Sequence, residues 1–277
     1  MNEIQAVYNG KFDFLNKIKI SPLSRAYTFS DSVYEVIPFY NSKIIAFDKH
    51  ILRLRNSCKA LSIAINIDAT SEEIMHLIRQ CGFKDGYVYY QASRGVDDIR
   101  SHIYKDSISI ETFGYVVEHA FQSKSLKVMF CEDLRWKRCD IKSTSLLGNV
   151  MSMNLASDKG CDEVIMHKND LITEGGASNV FFINNDCVYT PSLSSNILPG
   201  ITRELLITKI KESGVKVEEG QYTVDDLISA ESIWLTSSTK GLAQVKEILD
   251  CKTNLEIDNI LFKKCEEIYK SNFLSRG

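Results

Sequence analysis

Lys142 lies near the middle of this sequence, immediately before an apolar helical pattern. Leu147, Val150, Met151 and Leu155 recur at the spacing of a helix with one buried face. A lysine held at the edge of such a helix could act as a catalytic amine, although most lysines are solvated charges. The pattern leaves both readings of Lys142 open, and it predicts a helix that packs into the core and holds the lysine.

A second candidate is Glu174, which stands where a predicted strand meets the glycine pair Gly175-Gly176. Adjacent glycines indicate backbone that approaches something closely. A carboxylate at such a turn could belong to a functional site, and it could equally be a solvated turn residue.

Two stretches could bind an anion such as a phosphate. In Pro199-Gly200-Ile201-Thr202 a turn leads into a helix, whose first N–H groups and positive dipole end favour an anion. Ser237-Ser238-Thr239 follows a predicted strand and adds hydroxyl and amide donors. Taken singly, the first could be a plain helix start and the second a polar loop.

Three cationic side chains could bind an anionic group. Arg100 and His102 would point the same way in an extended segment, which would make a two-donor trap for a carboxylate. Arg53 lies beside the apolar stripe of its predicted helix, and periodicity does not prefer it to Arg55. An Arg-x-His pair in a loop is more often ordinary surface.

Composition bounds the class of protein. The 277 residues are 44% hydrophobic and 25% charged, with a net charge of −3, as in an ordinary globular protein. This charge gives no reason to expect nucleic acid or an anionic membrane as partner. No stretch has the apolar length of a membrane span, and the first residues lack the features of a signal peptide.

The eight cysteines are scattered, with no Cys-x-x-Cys pair and no histidine at zinc-ligand spacing. Reduced and mostly buried thiols in a cytosolic protein explain them best. We therefore expect neither a disulfide framework nor a structural metal.

The elements that position these residues suggest an α+β protein. Asn9-Gly10 predicts an N-terminal hairpin, and Ile51, Leu54, Cys58 and Leu61 form the stripe of a helix capped by Asp48. Strands and hairpin turns occur in both halves of the chain, which argues against a doubly wound parallel sheet. Periodicity is lost at 118–125, so we expect domains at 1–117 and 126–277 with a linker between them.

Six stretches together resemble the class IV (fold type IV) aminotransferases, which use pyridoxal 5′-phosphate, and the resemblance covers nearly the whole chain. They occur in that family's order and spacing: Tyr34-Glu35-Val36, the helix from Asp48 to Leu54, the Lys142 stretch, Thr173-Glu174-Gly175, Pro199-Gly200-Ile201-Thr202 and Thr236-Ser237-Ser238-Thr239. The resemblance implies a small N-terminal α/β domain, a larger barrel-like α+β domain that binds the cofactor, and a homodimer.

Residue roles follow from the same resemblance. Lys142 would form the internal aldimine with the cofactor and then move a proton between the substrate Cα and the cofactor C4′. Glu174 would pair with the pyridine nitrogen. The phosphate would be held by Arg53, by the amides of Ile201 and Thr202, and by Ser237 and Ser238. The substrate carboxylate would be bound by Tyr34, Arg100 and His102, the last two thought to come across the dimer interface.

Within the family, Arg135–Ser143 and Arg100-Ser101-His102 look most similar to the enzymes that act on D-amino acids. The resemblance therefore implies transfer of the amino group of a D-amino acid, such as D-alanine, to 2-oxoglutarate. Branched-chain aminotransferases and aminodeoxychorismate lyases are less similar, and they remain alternatives together with a non-catalytic protein of the same fold.

The chain departs from the family pattern at several positions. Ser30 and Ser32 replace glycines that usually precede Tyr34, so the shape of that turn could differ. Gly176-Ala177 stand where a serine-rich run is common, and Ser145 where asparagine is frequent. These changes bear on substrate range more than on cofactor binding.

Overall fold

A computed structural model describes residues 3–122 and 124–274 of the chain. The described residues form two compact units. The first runs to Ala120 and also contains Ile141–Ser145; the second comprises Phe121–Asp140 and the chain from Leu146 onward. The predicted linker includes Ser123, which lies outside the described residues. The first two residues of the predicted N-terminal domain and the last three of the predicted C-terminal domain also lie outside them. The division at 118–125 stays a prediction.

The first unit is built on an antiparallel six-stranded sheet of order β2-β1-β6-β5-β3-β4. Its elements are β1 Gln5–Tyr8, β2 Lys11–Phe14, a 3-10 turn Leu15–Lys17, α1 Arg25–Phe29, β3 Ser32–Tyr40, β4 Lys43–Ile44, α2 Phe47–Ala60, α3 Ile67–Gln80, β5 Gly86–Ser93 and β6 Glu111–Glu118. The β1–β2 hairpin turns at Asn9-Gly10, both with positive φ, which confirms the predicted turn.

The core of this unit lies between the sheet and helices α2 and α3. Leu54 and Cys58 of α2 are buried with Ile74 and Leu77 of α3, and they pack on apolar side chains of β3 and β5. This confirms the predicted stripe of α2. The helix begins at Phe47, so Asp48 lies in its first turn and does not cap it.

The second unit contains a mixed eight-stranded sheet of order β12-β11-β10-β13-β14-β7-β8-β9. Its elements are β7 Ser125–Glu132, α4 Leu147–Asp158, β8 Glu163–Lys168, β9 Leu171–Gly175, β10 Asn179–Asn184, β11 Cys187–Pro191, α5 Ile201–Glu212, β12 Val217–Gly220, α6 Val224–Ile228, β13 Ser232–Ser237, β14 Gly241–Ile248 and α7 Ile260–Phe273. The edge strand β9 also lies against β10, so the sheet curls into a half-barrel. The α+β, barrel-like architecture is the one predicted.

Helix α4 corrects one prediction. Leu147, Val150, Met151 and Leu155 were expected to form its buried face, yet these side chains are 44% to 73% exposed. The helix packs on β7 and β8 through Ala156 and the half-buried Met153 instead. Periodicity identified an apolar face correctly, but it could not tell whether this chain covers that face.

Across the described residues, no helix is long and apolar enough to cross a membrane. The eight cysteines are all free.

Candidate active site

Lys142 is held in the first unit by its backbone. Its carbonyl accepts a hydrogen bond from the Tyr34 amide at 2.9 Å, and the Thr144 amide donates to the Ser32 carbonyl at 3.0 Å. The Lys142 amide donates to Ser57 Oγ at 3.2 Å. Residues 142–144 therefore extend along β3, and the lysine comes from a fixed backbone and not from a free loop.

The Lys142 side chain lies over an aromatic ring. Its Nζ is 4.2 Å from the centroid of the Tyr34 ring, which stacks on Tyr89 at 5.5 Å. A cation over a ring face is attracted by the ring quadrupole, and this contact restricts an otherwise mobile side chain. The structure thus brings Tyr34 and Lys142, two of the candidate site residues, into contact.

Arg53 pairs with a buried carboxylate, Glu35. Its Nε and Nη2 donate to Glu35 Oε1 and Oε2 at 2.7 and 2.8 Å, and His50 Nδ1 lies 2.8 Å from Glu35 Oε2. Burial of Glu35 opposes its ionisation, but Arg53 and His50 outweigh it and lower the pKa of Glu35 to about 2. Burial also lowers the pKa of His50, so the neutral ring donates from Nδ1. Arg53, which periodicity did not distinguish from Arg55, is the buried arginine of this helix.

Arg100 and His102 lie on the irregular segment between β5 and β6, and both are exposed on this chain. The Arg100 guanidinium carbon lies 4.5 Å from the centroid of the Phe29 ring, and the His102 ring centroid lies 5.3 Å from it. The segment is irregular and not the extended strand from which the Arg-x-His spacing was interpreted, but both side chains contact the Phe29 ring.

Glu174 is buried at the end of β9 in the second unit. Arg135 Nη1 donates to its Oε1 at 2.5 Å, while the Leu198 amide and Asn179 Nδ2 donate to its Oε2 at 3.0 and 3.2 Å. Arg135 also makes two bonds to Asp133, of 2.9 and 2.7 Å. The turn carboxylate is therefore part of a buried network and not solvated.

This network places two carboxylates around a single guanidinium. Burial raises the pKa of Glu174 to about 7, because Arg135 and the Leu198 amide offset only part of its desolvation. The pKa of Asp133 stays below its usual value, since burial is outweighed by Arg135 and by a hydrogen bond from Thr173. With both carboxyls ionised, the three groups carry a net charge of −1 in a buried place.

The start of α5 lies beside Glu174. The N-cap Gly200 has no side chain to cap the helix, so the amides of Ile201 and Thr202 have no acceptor within it. A Cβ on Gly200 would lie 1.9 Å from Asn179 Oδ1, and Asn179 also donates to the Leu198 carbonyl at 2.9 Å. Asn179 thus links Glu174 to this helix start.

Ser237 is the last residue of β13, the strand that pairs with β10. Asn179 of β10 is paired with Thr236 of β13, so Ser237 and Ser238 follow directly at that end of the sheet. The Thr236 hydroxyl is buried and has no hydrogen-bond partner among the described residues. The second unit therefore gathers Glu174, the α5 start and the Ser237 turn in one region.

A buried glutamate ties two turns of this region together. Glu163 accepts hydrogen bonds from the Ala177 amide and from Ser178 Oγ at 3.0 and 2.6 Å, and it pairs with Lys240. The turn after Glu174 and the turn after β13 are thus fixed to the same side chain.

The site residues fall into the two units as separate sets. The first unit holds Tyr34, Arg53, Lys142, Arg100 and His102, and the second holds Glu174, Ile201, Thr202, Ser237 and Ser238. Sequence reasoning assigned no role to Glu35, His50, Asp133, Arg135 or Asn179. Glu35, His50 and Arg135 stand inside stretches that carry the family resemblance, so a search for partners of Arg53 and Glu174 within those stretches could have found them.

The structure bears on two of the departures. Ser30 has a φ of +53°, a left-handed conformation that glycine adopts without strain, so the turn keeps the shape that a glycine allows. A Cβ on Gly176 would lie 2.3 Å from Met153 Sδ, so the space beside α4 excludes a serine at that position unless Met153 moves.

The model of the family "Amino-transferase class IV" matches residues 32–248. The chain belongs to the class IV aminotransferases. It is therefore a pyridoxal-phosphate-dependent aminotransferase. The curated D-alanine aminotransferase of Listeria monocytogenes is 33% identical over 234 residues, which cover 81% of this chain and 80% of that protein.

Two solved structures illustrate the fold. A branched-chain aminotransferase from Thermoproteus uzoniensis has a TM-score of 0.87 at 22% identity, covering 96% of this chain and 93% of that one. A putative 4-amino-4-deoxychorismate lyase from Legionella pneumophila has a TM-score of 0.83 at 22% identity, covering 92% and 96%. At these identities the likeness establishes the fold type IV architecture only.

The residues of the second unit fit pyridoxal phosphate. A protonated pyridine nitrogen would neutralise the buried net charge of −1 around Glu174. The start of α5, which has no side-chain cap, suits a phosphate. The Thr236 hydroxyl, for which the described residues provide no hydrogen-bond partner, lies on the strand residue paired with Asn179 and offers a further polar contact. A cofactor with a cationic ring nitrogen and an anionic phosphate needs both features.

Proposed function

We propose that this aminotransferase acts on D-amino acids, transferring the amino group of D-alanine to 2-oxoglutarate and giving pyruvate and D-glutamate. The single observation that carries the proposal is the Arg100–His102 pair on the Phe29 ring, which presents two donors suited to a carboxylate. The D-alanine aminotransferases of Listeria monocytogenes and Bacillus licheniformis, 33% and 31% identical to this chain, support the choice of substrate.

Lys142 is the catalytic amine in this proposal. The bound cofactor supplies an electron sink for the pair of electrons left on the substrate Cα. Lys142 would hold the cofactor through its amine, and the amine, once released, would move the proton that leaves the substrate Cα. Three backbone hydrogen bonds fix residues 142–144, and the Tyr34 ring restricts the side chain, so the amine is held in place for this transfer.

Glu174 would pair with the pyridine nitrogen and favour its protonated form. Its pKa, raised to about 7 by burial, falls when a cationic ring nitrogen is close, because an adjacent positive charge favours the carboxylate. Arg135 fixes the orientation of the Glu174 carboxylate through its bond to Oε1.

The residues that would hold the phosphate are Arg53, Ile201 and Thr202 through their amides, Ser237 and Ser238. The pairing of Arg53 with Glu35 and His50 supports this role, because it holds the guanidinium rigidly before any anion arrives. Tyr34 joins Arg100 and His102 in binding the substrate carboxylate.

The protein acts as a cytoplasmic homodimer. Water-exposed Leu147, Val150, Met151 and Leu155 form a continuous apolar face of α4, which we call the α4 stripe, and a second copy of the chain would cover it. Eight free cysteines are typical of a protein in a reducing compartment.

The test is a set of substrate pairs offered to the purified, cofactor-loaded protein. With 2-oxoglutarate as acceptor, we expect pyruvate from D-alanine and little from L-alanine. Preference for L-alanine or for L-leucine would refute the D-specific proposal and favour a branched-chain type. Pyruvate released from aminodeoxychorismate without an amino acceptor would favour a lyase, and a protein that binds the cofactor but turns over none of these substrates would be a non-catalytic member of the fold.

Replacement of Lys142 tests the role of the amine. We expect Lys142→Ala to lose transamination and the yellow absorbance of lysine-bound cofactor, because no other amine would take its place. Lys137→Ala, at an exposed lysine shortly before it, is the matched control and should keep both. Full turnover by Lys142→Ala would refute the assignment.

A further inference from the structure

Phe29 lies at the centre of a cluster of cationic and aromatic side chains. The guanidinium carbons of Arg25 and Arg100 lie 4.6 and 4.5 Å from its ring centroid. The His102 ring lies 5.3 Å from it, tilted by 57°. Both members of the proposed carboxylate-binding pair therefore rest on this one ring.

Arg25 joins the same helix to the backbone of the Arg100–His102 segment. Its Nη1 donates to the Ser101 carbonyl at 2.6 Å, and its Nη2 lies 3.5 Å from the His102 carbonyl. The Arg25 amide also donates to the Gly95 carbonyl at 2.8 Å. Arg25 itself is buried and fixed by Asp31 at 2.9 Å, so α1 anchors the segment at both its start and its centre.

The side chains of this segment need such an anchor. Arg100 and His102 are exposed and lie on an irregular stretch, so neither sheet nor core packing selects their rotamers. An arginine left free would lose conformational entropy each time it bound a carboxylate. A ring face that attracts the guanidinium reduces this loss by holding the group near its binding position beforehand.

We propose that Phe29 is a positioning residue for substrate recognition, which orients Arg100 and His102 for the substrate carboxylate while Arg25 holds their backbone. The inference rests on the proposed function, because it takes that pair as the carboxylate site. Phe29 contacts the binding groups and not the reacting atoms. Its loss therefore weakens binding of substrate and transition state alike, which raises KM and leaves kcat nearly unchanged.

The test compares variants that keep or remove the ring. We expect Phe29→Leu to raise the KM for D-alanine by about two- to fivefold, the usual order for a cation–ring contact at an exposed site. The absorbance of bound cofactor and kcat should stay as in the wild type, and Phe29→Tyr should restore KM. Tyr27→Leu, at an exposed aromatic residue of the same short helix, is the control and should leave KM unchanged.

Two further measurements keep the outcomes distinct. If Phe29→Leu loses the fold, a ring-fluorinated phenylalanine at position 29 keeps the shape but weakens the attraction to cations, and it should raise KM in the same way. Unchanged KM with it, or a fall in kcat together with a changed cofactor spectrum in Phe29→Leu, would overturn the inference by showing a purely structural role.

Arg100→Ala separates this inference from the proposed function. If Arg100→Ala leaves KM unchanged, the carboxylate site is wrong and both fail. If Arg100→Ala raises KM while Phe29→Leu behaves like Tyr27→Leu, only the role of Phe29 is refuted. In the double variant Phe29→Leu/Arg100→Ala, we expect KM to rise over that of Arg100→Ala by a smaller factor than Phe29→Leu causes in the wild type, because only His102 is left for the ring to position.

Discussion

Glu174 shares the Arg135 guanidinium with Asp133, and this sharing sets its chemistry. Without a further positive charge, one of the two carboxylates is protonated more easily than the other. This is Glu174, whose pKa is raised to about 7. Asp133 is the better-satisfied partner, because it accepts three hydrogen bonds from Arg135, one of them from the backbone amide, and one from Thr173, whereas Glu174 accepts three in all from the described residues. A cation placed beside Glu174 would therefore favour its ionised form.

A stability measurement on cofactor-free protein follows from this pKa. A carboxyl whose pKa is higher in the folded chain than in the unfolded chain adds stability below the unfolded pKa, and this is lost as the pH rises through the folded pKa. The loss here falls between pH 4.5 and about 7, and it is on the order of 3 kcal/mol at most. Urea denaturation at a series of pH values should show that the free energy of unfolding declines over this range in the wild type and not in Glu174→Gln.

The matched control for this measurement is Glu118→Gln, at an exposed glutamate at the end of β6, which should decline like the wild type. The same dependence on pH in wild type and Glu174→Gln would show that Glu174 does not titrate in this range.

At the scale of elements, the sequence predicts the positions of helices and strands better than it predicts what covers them. The Asn9-Gly10 turn and the α2 stripe were identified because their signals are local. The α4 stripe has the same periodicity as α2, but its exposure depends on residues distant in the chain. The role of Arg135 depends on a partner 39 residues away, which no local pattern reveals.

The start of α5 offers a prediction at this scale. Gly200 has a φ of −66°, so alanine fits the backbone, but its Cβ would lie 1.9 Å from Asn179 Oδ1. Asn179 is buried between Glu174 and the Leu198 carbonyl and has little room to move. We expect Gly200→Ala to weaken pyridoxal phosphate binding, because the clash displaces Asn179 and the helix start, and absorbance titration measures this loss.

Thr208→Ala, at an exposed position of the same helix, is the control for Gly200→Ala and should bind the cofactor like the wild type. Unchanged affinity in Gly200→Ala would mean that Asn179 does not link the helix start to Glu174.

For the whole molecule, the α4 stripe determines the expected assembly. Four large apolar side chains on one helix face cost solvation free energy in a lone chain, and a second copy would recover it. Sedimentation should give the wild type twice the mass of one chain. A charge in the stripe, as in Met151→Glu, should shift the equilibrium to monomers.

Ser271→Glu adds the same charge at an exposed position of α7 and should leave the mass unchanged. A monomeric wild type, or a Met151→Glu variant with the wild-type mass, would contradict the proposed dimer.

The five-residue segment Ile141–Ser145 belongs to the first unit although the chain on either side of it belongs to the second. The two units are therefore interleaved in the chain, and no single cut separates them. A chimaera of two family members joined between the units, near residue 120, would pair β3 of one parent with the lysine segment of the other. The contacts of Ser32 and Ser57 with that segment would then have to be compatible across parents, so recombination within this family should be tolerated best when 141–145 is inherited together with the N-terminal unit.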